Sequence, residues 1–268
     1  MINKLPPLRR KFSQNFLQNK TVARQIVEAL GVKENDIILE IGPGSGVLTQ
    51  YLYPLNKHSF FACEIDPRWI AHLQSIYTRD ITLLEQSILD ISFANLYKKF
   101  KSKIKVIGNI PYNITSPILF ALFEQSAYIS QAVLMVQKEI ADRLTAVPGT
   151  KAYGILTVLL GSKTEIQRLF TVSRKNFLPR PKVDSAVIRL TFNEHIEGIV
   201  NEELFRQIVR HTFNTRRKML HNSLKKFLNS DILETITSVR MTARPEELNI
   251  EAFKRLSNEI AQKTVHKS

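Results

Sequence analysis

Residues 36–46 read Asp-Ile-Ile-Leu-Glu-Ile-Gly-Pro-Gly-Ser-Gly, an apolar run ending in a turn with three glycines. A run this short and this apolar, bounded by turn residues, predicts a strand covered on both faces, as in a parallel sheet flanked by helices. The glycines after it allow positive φ and a close approach of backbone to a neighbour or ligand. Helical spacing resumes over residues 47–55, completing a strand, loop and helix unit. The alternation then repeats. Residues 60–64, 81–84, 104–109 and 132–136 read as strands, and residues 68–76, 116–124 and 138–145 as helices. Upstream, residues 1–20 form a basic, turn-rich lead-in. A helix follows over 21–30, with Asn19 or Thr21 as its cap and Gly31 as its stop. After a loop at 147–153 and a further helix, terminal strands at 164–172 and 185–192 can form a hairpin. The pattern predicts an α/β fold, a doubly wound, Rossmann-like parallel sheet.

From residue 194 the periodicity changes. Leu204, Ile208 and Val209, then Leu220, Leu224 and Phe227, then Ile232 and Ile236 recur at helical spacing with no strand between them. Two domains are expected, a sheet domain over 1–193 and a small all-α domain over 194–268. The formal charge of +14 in 268 residues raises affinity for polyanions over the whole surface and makes nucleic acid the leading partner. Arg216, Arg217, Lys218, Lys225 and Lys226 concentrate that charge in the helical segment and are the candidate RNA-binding residues. No apolar run spans a bilayer, no apolar signal core follows Arg9, Arg10 and Lys11, and no long amphipathic stretch suits a membrane surface. The expectation is a cytoplasmic protein, a monomer, with no membrane partner. A single cysteine, Cys63, excludes a disulfide framework and a multi-cysteine zinc site, so no metal is expected.

Two stretches carry the chemistry. Val106-Ile107-Gly108-Asn109-Ile110-Pro111-Tyr112 leaves a strand through a proline that cannot continue a ladder, putting Asn109 at the strand's carboxyl end, where open α/β sheets bind ligands. An Asn amide and a Tyr ring together suit a planar base carrying an amino group. Phe177-Leu178-Pro179-Arg180-Pro181-Lys182-Val183-Asp184-Ser185 is a proline-stiffened loop that starts on an aromatic ring. If Phe177 faces Tyr112, the two can sandwich an extruded base. The glycine turn fits neither a dinucleotide fingerprint nor a phosphate-binding loop, since its third glycine comes one position early and no Lys-Ser or Lys-Thr follows. Glu64, about 20 residues beyond the glycines, is placed to accept bonds from ribose hydroxyls. A nucleoside cofactor without phosphates satisfies both facts. This points to S-adenosylmethionine, with Glu64 on its ribose and the Gly44 region against its methionine part.

Taken in order, Lys11-Phe12-Ser13-Gln14-Asn15-Phe16-Leu17, Glu40 to Gly46, Glu64-Ile65-Asp66, Asn109 to Ile114, Gln137-Lys138-Glu139, Lys151-Ala152-Tyr153-Gly154, Phe177 to Ser185 and Phe213-Asn214-Thr215-Arg216-Arg217-Lys218 resemble the bacterial small-subunit ribosomal RNA adenine dimethyltransferases, the KsgA (RsmA) family. The resemblance implies an S-adenosylmethionine-dependent enzyme that dimethylates N6 of two adjacent adenosines near the 3′ end of 16S rRNA in the small ribosomal subunit or its precursor, with a role in ribosome biogenesis. It further implies that Asn15, Leu17, Gly42, Glu64 and Asn109 line the cofactor pocket and that Asn109, Tyr112 and Phe177 handle the adenine. Ser13 replaces the family's usual Gly, and Ser87 stands where an Asp usually contacts the cofactor adenine. A hydroxyl accepts that bond without charge. The rival readings are the related large-subunit (23S) rRNA dimethyltransferases of the macrolide-resistance type, which share the Asn109 to Tyr112 and Phe177 motifs, and a non-catalytic RNA-binding assembly factor.

Overall fold

The computed structural model describes residue 6 and residues 15–55, 59–77, 81–192 and 198–265. Residues 11–14 of the lead-in motif, including the Ser13 departure, and the 193/194 boundary itself lie outside the described residues. Within them the chain runs β1 (Phe16–Leu17), α1 (Lys20–Leu30), β2 (Ile37–Ile41), α2 (Thr49–Leu52), β3 (Phe60–Cys63), α3 (Pro67–Ile76), β4 (Thr82–Leu84), α4 (Phe93–Phe100), β5 (Ile104–Asn109), α5 (Thr115–Glu124), β6 (Ile129–Gln137), α6 (Lys138–Leu144), α7 (Ile155–Gly161), β7 (Thr164–Val172), β8 (Phe177–Leu178), β9 (Ser185–Phe192), α8 (Glu202–Asn214), α9 (Leu220–Leu224), α10 (Ser230–Leu233) and α11 (Ile250–Val265).

It divides into two compact units, one comprising Met1–Ala141 with Glu165–Phe192, the other Asp142–Thr164 with Asn193–Ser268. The second therefore includes a stretch that lies inside the first 193 residues of the sequence. The reason is packing: Tyr153, Val158, Leu159 and Leu160 are buried, α7 lies against α8, and the Tyr153 hydroxyl donates to the Leu248 carbonyl at 2.8 Å. None of these contacts is local in sequence.

In the first unit seven strands form one sheet in the order β4-β3-β2-β5-β6-β9-β7. β2 pairs in parallel with both β3 and β5, and β5 in parallel with β6. Strand order therefore reverses at β2, proceeding outward through β3 and β4 on one side and through β5 and β6 on the other. β9 is antiparallel to β6, with Ser185 opposite Gln137. Its first residue thus lies at the carboxyl edge of the parallel strands. β2 is buried at all five positions, Glu40 among them.

α1 carries the lead-in onto this sheet. Asn19 caps it, accepting from the Val22 amide, and Gly31 ends it with φ of 56°. At its other end two cations from strands meet the terminal carbonyls: Lys105 donates to the Gly31 carbonyl at 2.7 Å and pairs with Asp36 at 2.8 Å, and Arg189 donates to the Ala29 carbonyl at 2.8 Å. Positive charge at a helix C-terminus is favourable, by about 0.3–1 kcal/mol for each exposed group. α2 is shorter than the helix expected over 47–55, with turn residues on both sides. α4, capped by Ser92, was not foreseen.

In the second unit α8 buries Phe205, Ile208, Val209 and Phe213. Phe213 stacks on Phe253 of α11 with centroids 5.7 Å apart. Gly161 has no room for a Cβ, which would lie 2.6 Å from Ile250 Cδ1. Arg216 binds the Glu246 carboxylate through Nε and donates to the carbonyls of Lys151 and Thr150 at 2.8 and 2.9 Å. The amide of Gly149 adds a bond to the Glu246 carbonyl at 2.7 Å. The loop at 147–153 is therefore held within this unit.

Candidate active site

A cavity in the first unit opens where strand order reverses. It is lined from the carboxyl ends of four strands: Glu40 to Gly44 after β2, Cys63 to Ile65 after β3, Gln86 to Ile88 after β4 and Asn109 to Ile114 after β5. Asn15, Phe16 and Leu17 of the lead-in close another wall. Asn15, Leu17, Gly42, Gly44, Glu64, Ser87, Asn109 and Tyr112, named from the sequence as cofactor or adenine contacts, all line this one cavity.

Glu64 is nearly buried and holds the glycine turn. One carboxylate oxygen accepts from the Gly44 amide at 3.2 Å, and the other from the amides of Ile65 and Asp66 at 2.9 and 3.0 Å. Burial pushes its pKa up, an effect opposed by these three bonds. Gly44 has φ of 51°, and a Cβ there would meet the Phe16 ring at 2.7 Å. The turn must be bare for the lead-in to lie on it. Phe16 in turn packs against Trp69 of α3, with centroids 5.0 Å apart.

Glu40 also lines the cavity, a position that sequence reasoning did not single out. It is 1 % exposed, and the Thr49 hydroxyl donates to it at 2.7 Å. Desolvation, with a smaller contribution from Glu64, raises its pKa to about 8. The available signal was a carboxylate inside an apolar strand buried on both faces, which must face something polar or cationic. Cys63 also lines the cavity, and burial pushes its thiol up to about 12, so it behaves as a small hydrophobe. Two carboxyl groups beside a glycine turn, with apolar walls, fit a nucleoside with a positively charged tail and leave no obvious seat for a phosphate.

The Asn109 amide nitrogen donates to the Asn15 carbonyl at 2.9 Å. That bond fixes the amide plane, and the side-chain oxygen is its remaining polar atom. Tyr112 begins a 3-10 turn after Pro111, closed by the Thr115 hydroxyl, which donates to the Pro111 carbonyl at 3.1 Å. The Tyr112 ring is half-buried and its hydroxyl lies 2.7 Å from Ser185 Oγ. Burial raises the phenol pKa, against the Ser185 bond, so Tyr112 stays neutral around pH 7. Ser87 lines the cavity while its hydroxyl accepts from the Leu89 amide at 3.2 Å.

Phe177 departs from the expectation. Its ring is 4 % exposed, lies in the same hydrophobic cluster as Leu17 and Val172, and does not line the cavity. The cause is the β1–β8 ladder, which pairs Phe177 with Leu17 and turns Leu178 outward. Of the basic cluster, Arg217, Lys218, Lys225 and Lys226 are exposed, whereas Arg216 is bound to Glu246 and to two carbonyls. Among the described residues no group of three or more His, Cys, Asp or Glu is disposed to hold a metal, and no helix is long and apolar enough to cross a membrane.

The family model for ribosomal RNA adenine dimethylase matches residues 7–262. The "Ribosomal RNA small subunit methyltransferase A" of Chlorobaculum parvum is 42% identical over 250 residues, covering 93% of this chain and 89% of that protein. The protein of the same name from Bacteroides thetaiotaomicron is 40% identical over 262 residues, covering 97% and 96%. Among solved structures, a dimethyladenosine transferase from Plasmodium falciparum aligns with a TM-score of 0.79 at 27% identity over 93% of this chain and 98% of that one. The 23S rRNA methyltransferase ErmE aligns with a TM-score of 0.68 at 26% identity over 92% and 100%.

Glu40 makes a prediction that needs no substrate. Its pKa is about 8 when folded and near 4.5 when unfolded, so between those values unfolding releases a proton and stability falls as pH rises, by up to about 1.4 kcal/mol per unit. Glu40→Gln lacks this dependence. Urea unfolding without cofactor at pH 5, 6.5 and 8 should show the variant gaining on the wild type as pH rises. A constant difference would mean the carboxyl is ionised throughout.

Proposed function

The chain belongs to the ribosomal RNA adenine dimethylase family, and from that premise we propose that it transfers methyl groups from S-adenosylmethionine to N6 of two adjacent adenosines near the 3′ end of 16S rRNA, giving N6,N6-dimethyladenosines as part of small-subunit biogenesis. One observation carries the reading: the Asn109 to Tyr112 turn and the Glu64-held glycine turn border the same cavity at the point where strand order reverses. The substrate puts the enzyme in the cytoplasm, with small ribosomal subunits.

When bound, S-adenosylmethionine supplies an electrophilic methyl group on a sulfonium. Glu64 would accept bonds from the ribose hydroxyls, the Gly42–Gly44 backbone would receive the methionine part, and Ser87 would accept from the adenine amine in place of an acidic side chain. The nucleophile is the exocyclic amine of the target base, a poor one because its lone pair is delocalised into the ring. The Asn109 oxygen and the Ile110 carbonyl accept the N6 hydrogens, favouring the pyramidal amine that forms as the methyl is received. Such acceptors act where positive charge develops, so they stabilise the transition state more than the ground state. The Tyr112 face holds the base flat and supplies orientation. The bond from N6 to the methyl carbon would form as the sulfur–methyl bond breaks, leaving a neutral thioether, and the proton that the cationic amine then sheds would pass to water, so no side-chain general base is required. Phe177 braces the wall by keeping β8 against β1. Arg217, Lys218, Lys225 and Lys226 dock the RNA.

The likeness to a 23S rRNA methyltransferase marks the large subunit as the alternative substrate, but the relatives at 40% identity and above carry the small-subunit name. Incubation of unmethylated small and large subunits with labelled S-adenosylmethionine, followed by mapping of the label, separates the two. Label on large-subunit RNA alone would sink the small-subunit reading. In the same assay Asn109→Ala should leave cofactor binding measurable and lose turnover by about 10²–10³-fold, the scale of one oxyanion-hole donor. Near wild-type turnover would remove Asn109 from the transition state.

The basic cluster gives a second prediction. Replacing Arg217 and Lys218 together with Ala should weaken binding to small subunits and lower the salt slope by about one unit per lost phosphate contact. Folding stability and cofactor affinity should stay unchanged. Arg216→Ala should instead destabilise the protein, by about 1 kcal/mol for bonds this accessible, because it removes the donor to Glu246 and to the Lys151 carbonyl and one of the two donors to the Thr150 carbonyl, which keeps the Tyr153 amide. Titration at several salt concentrations, beside a denaturation curve, tests both. An unaltered affinity and slope for the double variant would take this surface away from the RNA.

A further inference from the structure

We infer that Ser185 is a positioning residue for methyl transfer, holding the Tyr112 ring in the orientation that the target base meets. The inference rests on the function proposed above and adds to it a residue from a distant part of the chain.

The two hydroxyls lie 2.7 Å apart although their residues are 73 positions apart in sequence. Topology brings them together. Tyr112 follows β5, whose carboxyl end borders the cavity, and β9 runs antiparallel to β6, so that Ser185 begins β9 at this same edge. Ser185 is fully buried, with its backbone in register with Gln137. The residue before it is also fixed, since the Asp184 carbonyl accepts from the Lys138 amide at 2.9 Å. The sheet therefore fixes the Ser185 backbone, and the bond to Tyr112 selects its side-chain rotamer.

Tyr112 is fixed at its other end. Its backbone lies in the short turn after Pro111, which the Thr115 hydroxyl closes. A tyrosine held only at Cα retains rotation about two side-chain bonds. A bond at its hydroxyl fixes the direction of the ring axis, and because a phenolic O–H bond lies preferentially in the ring plane it also biases rotation about that axis. A flat platform is what a base needs if its amine is to reach Asn109 and the Ile110 carbonyl in a single pose, and orientation of this kind contributes to rate without any proton transfer. Ser185 also ends the loop that begins at Phe177, so both ends of that loop serve the site: Phe177 through β1, and Ser185 through Tyr112.

A serine that merely finishes a strand would behave differently from one that orients a ring. The test is a double-mutant cycle in the full-length protein with unmethylated small subunits, using Ser185→Ala, Tyr112→Phe and the double variant. Alanine keeps the ladder, and phenylalanine keeps the ring. Each single variant should lower kcat several-fold to about tenfold, the scale of one hydrogen bond. The double variant should lose no more than either alone, since both substitutions remove one interaction. Cofactor affinity should be unchanged. The ratio of monomethyl to dimethyl adenosine in nuclease digests should rise in all three, because the second transfer needs the same amine re-presented against an untethered ring.

Losses that multiply in the double variant would overturn the inference, as would wild-type kcat and product ratio in Ser185→Ala. If Ser185→Ala fails to fold, Tyr112→Phe reads the tether alone, and wild-type turnover and product ratio in that variant overturn the inference. Wild-type protein that leaves small-subunit adenosines unmethylated overturns the parent reading and this one together. An active wild type with an indifferent Ser185 overturns this one alone.

Discussion

The reversal of strand order at β2 is the constraint on which the site depends. Because β3 and β5 both pair in parallel with β2 and the chain proceeds outward on each side, the loops leaving β2 and β5 diverge and leave a crevice that neither fills. Everything with chemistry is drawn to its rim: the glycine turn from β2, Glu64 from β3, Ser87 beyond β4, and Asn109 with Tyr112 from β5. The antiparallel β9 extends this edge, because its direction delivers an N-terminal end where its parallel neighbours deliver carboxyl ends. A fully parallel sheet would have put Ser185 at the opposite edge.

The crevice is held open by polar groups placed where burial makes them expensive. Glu40 is neutral until about pH 8 and keeps one hydroxyl partner. Glu64 is stabilised by three amides, one of which belongs to the glycine turn. Burial disfavours the charge on both carboxyl groups, and a cation nearby would favour their ionised forms. The lead-in depends on the same arrangement, since Phe16 lies against the Cα of Gly44 and any side chain there would push it away.

Much of this was legible in the sequence because it is local. The strand Ile104–Asn109 and the terminal strands Thr164–Val172 and Ser185–Phe192 have the predicted bounds, set by apolar runs and by punctuation such as Pro111. The Asn19 cap and Gly31 stop of α1 are short-range signals of the same kind. What was not legible depends on partners far along the chain. Phe177 reads as an aromatic ring on a stiff loop, and only its pairing with Leu17 buries it. Arg216 is one cation in a run of three, and only Glu246 and the loop at 147–153 set it apart. The stretch Asp142–Thr164 carries ordinary helical spacing, and nothing within it says that its apolar face meets α8.

The division of labour at the rim follows from which groups can change charge. Asn109 cannot titrate, the Ile110 carbonyl cannot, and the Tyr112 phenol is an ordinarily neutral group that burial shifts further upward. The side of the cavity assigned to the base therefore presents a constant electrostatic face through the neutral range. The carboxyl groups lie on the other side, near the glycine turn, and Glu40 is the one whose charge changes close to working pH. On the function proposed above, proton-dependent effects would enter through the cofactor side of the crevice, whereas the amine would be governed by geometry. Geometry is what the remaining contacts supply: the Asn15 carbonyl fixes the Asn109 amide, Thr115 closes the turn, and Ser185 anchors the far end of the Tyr112 ring.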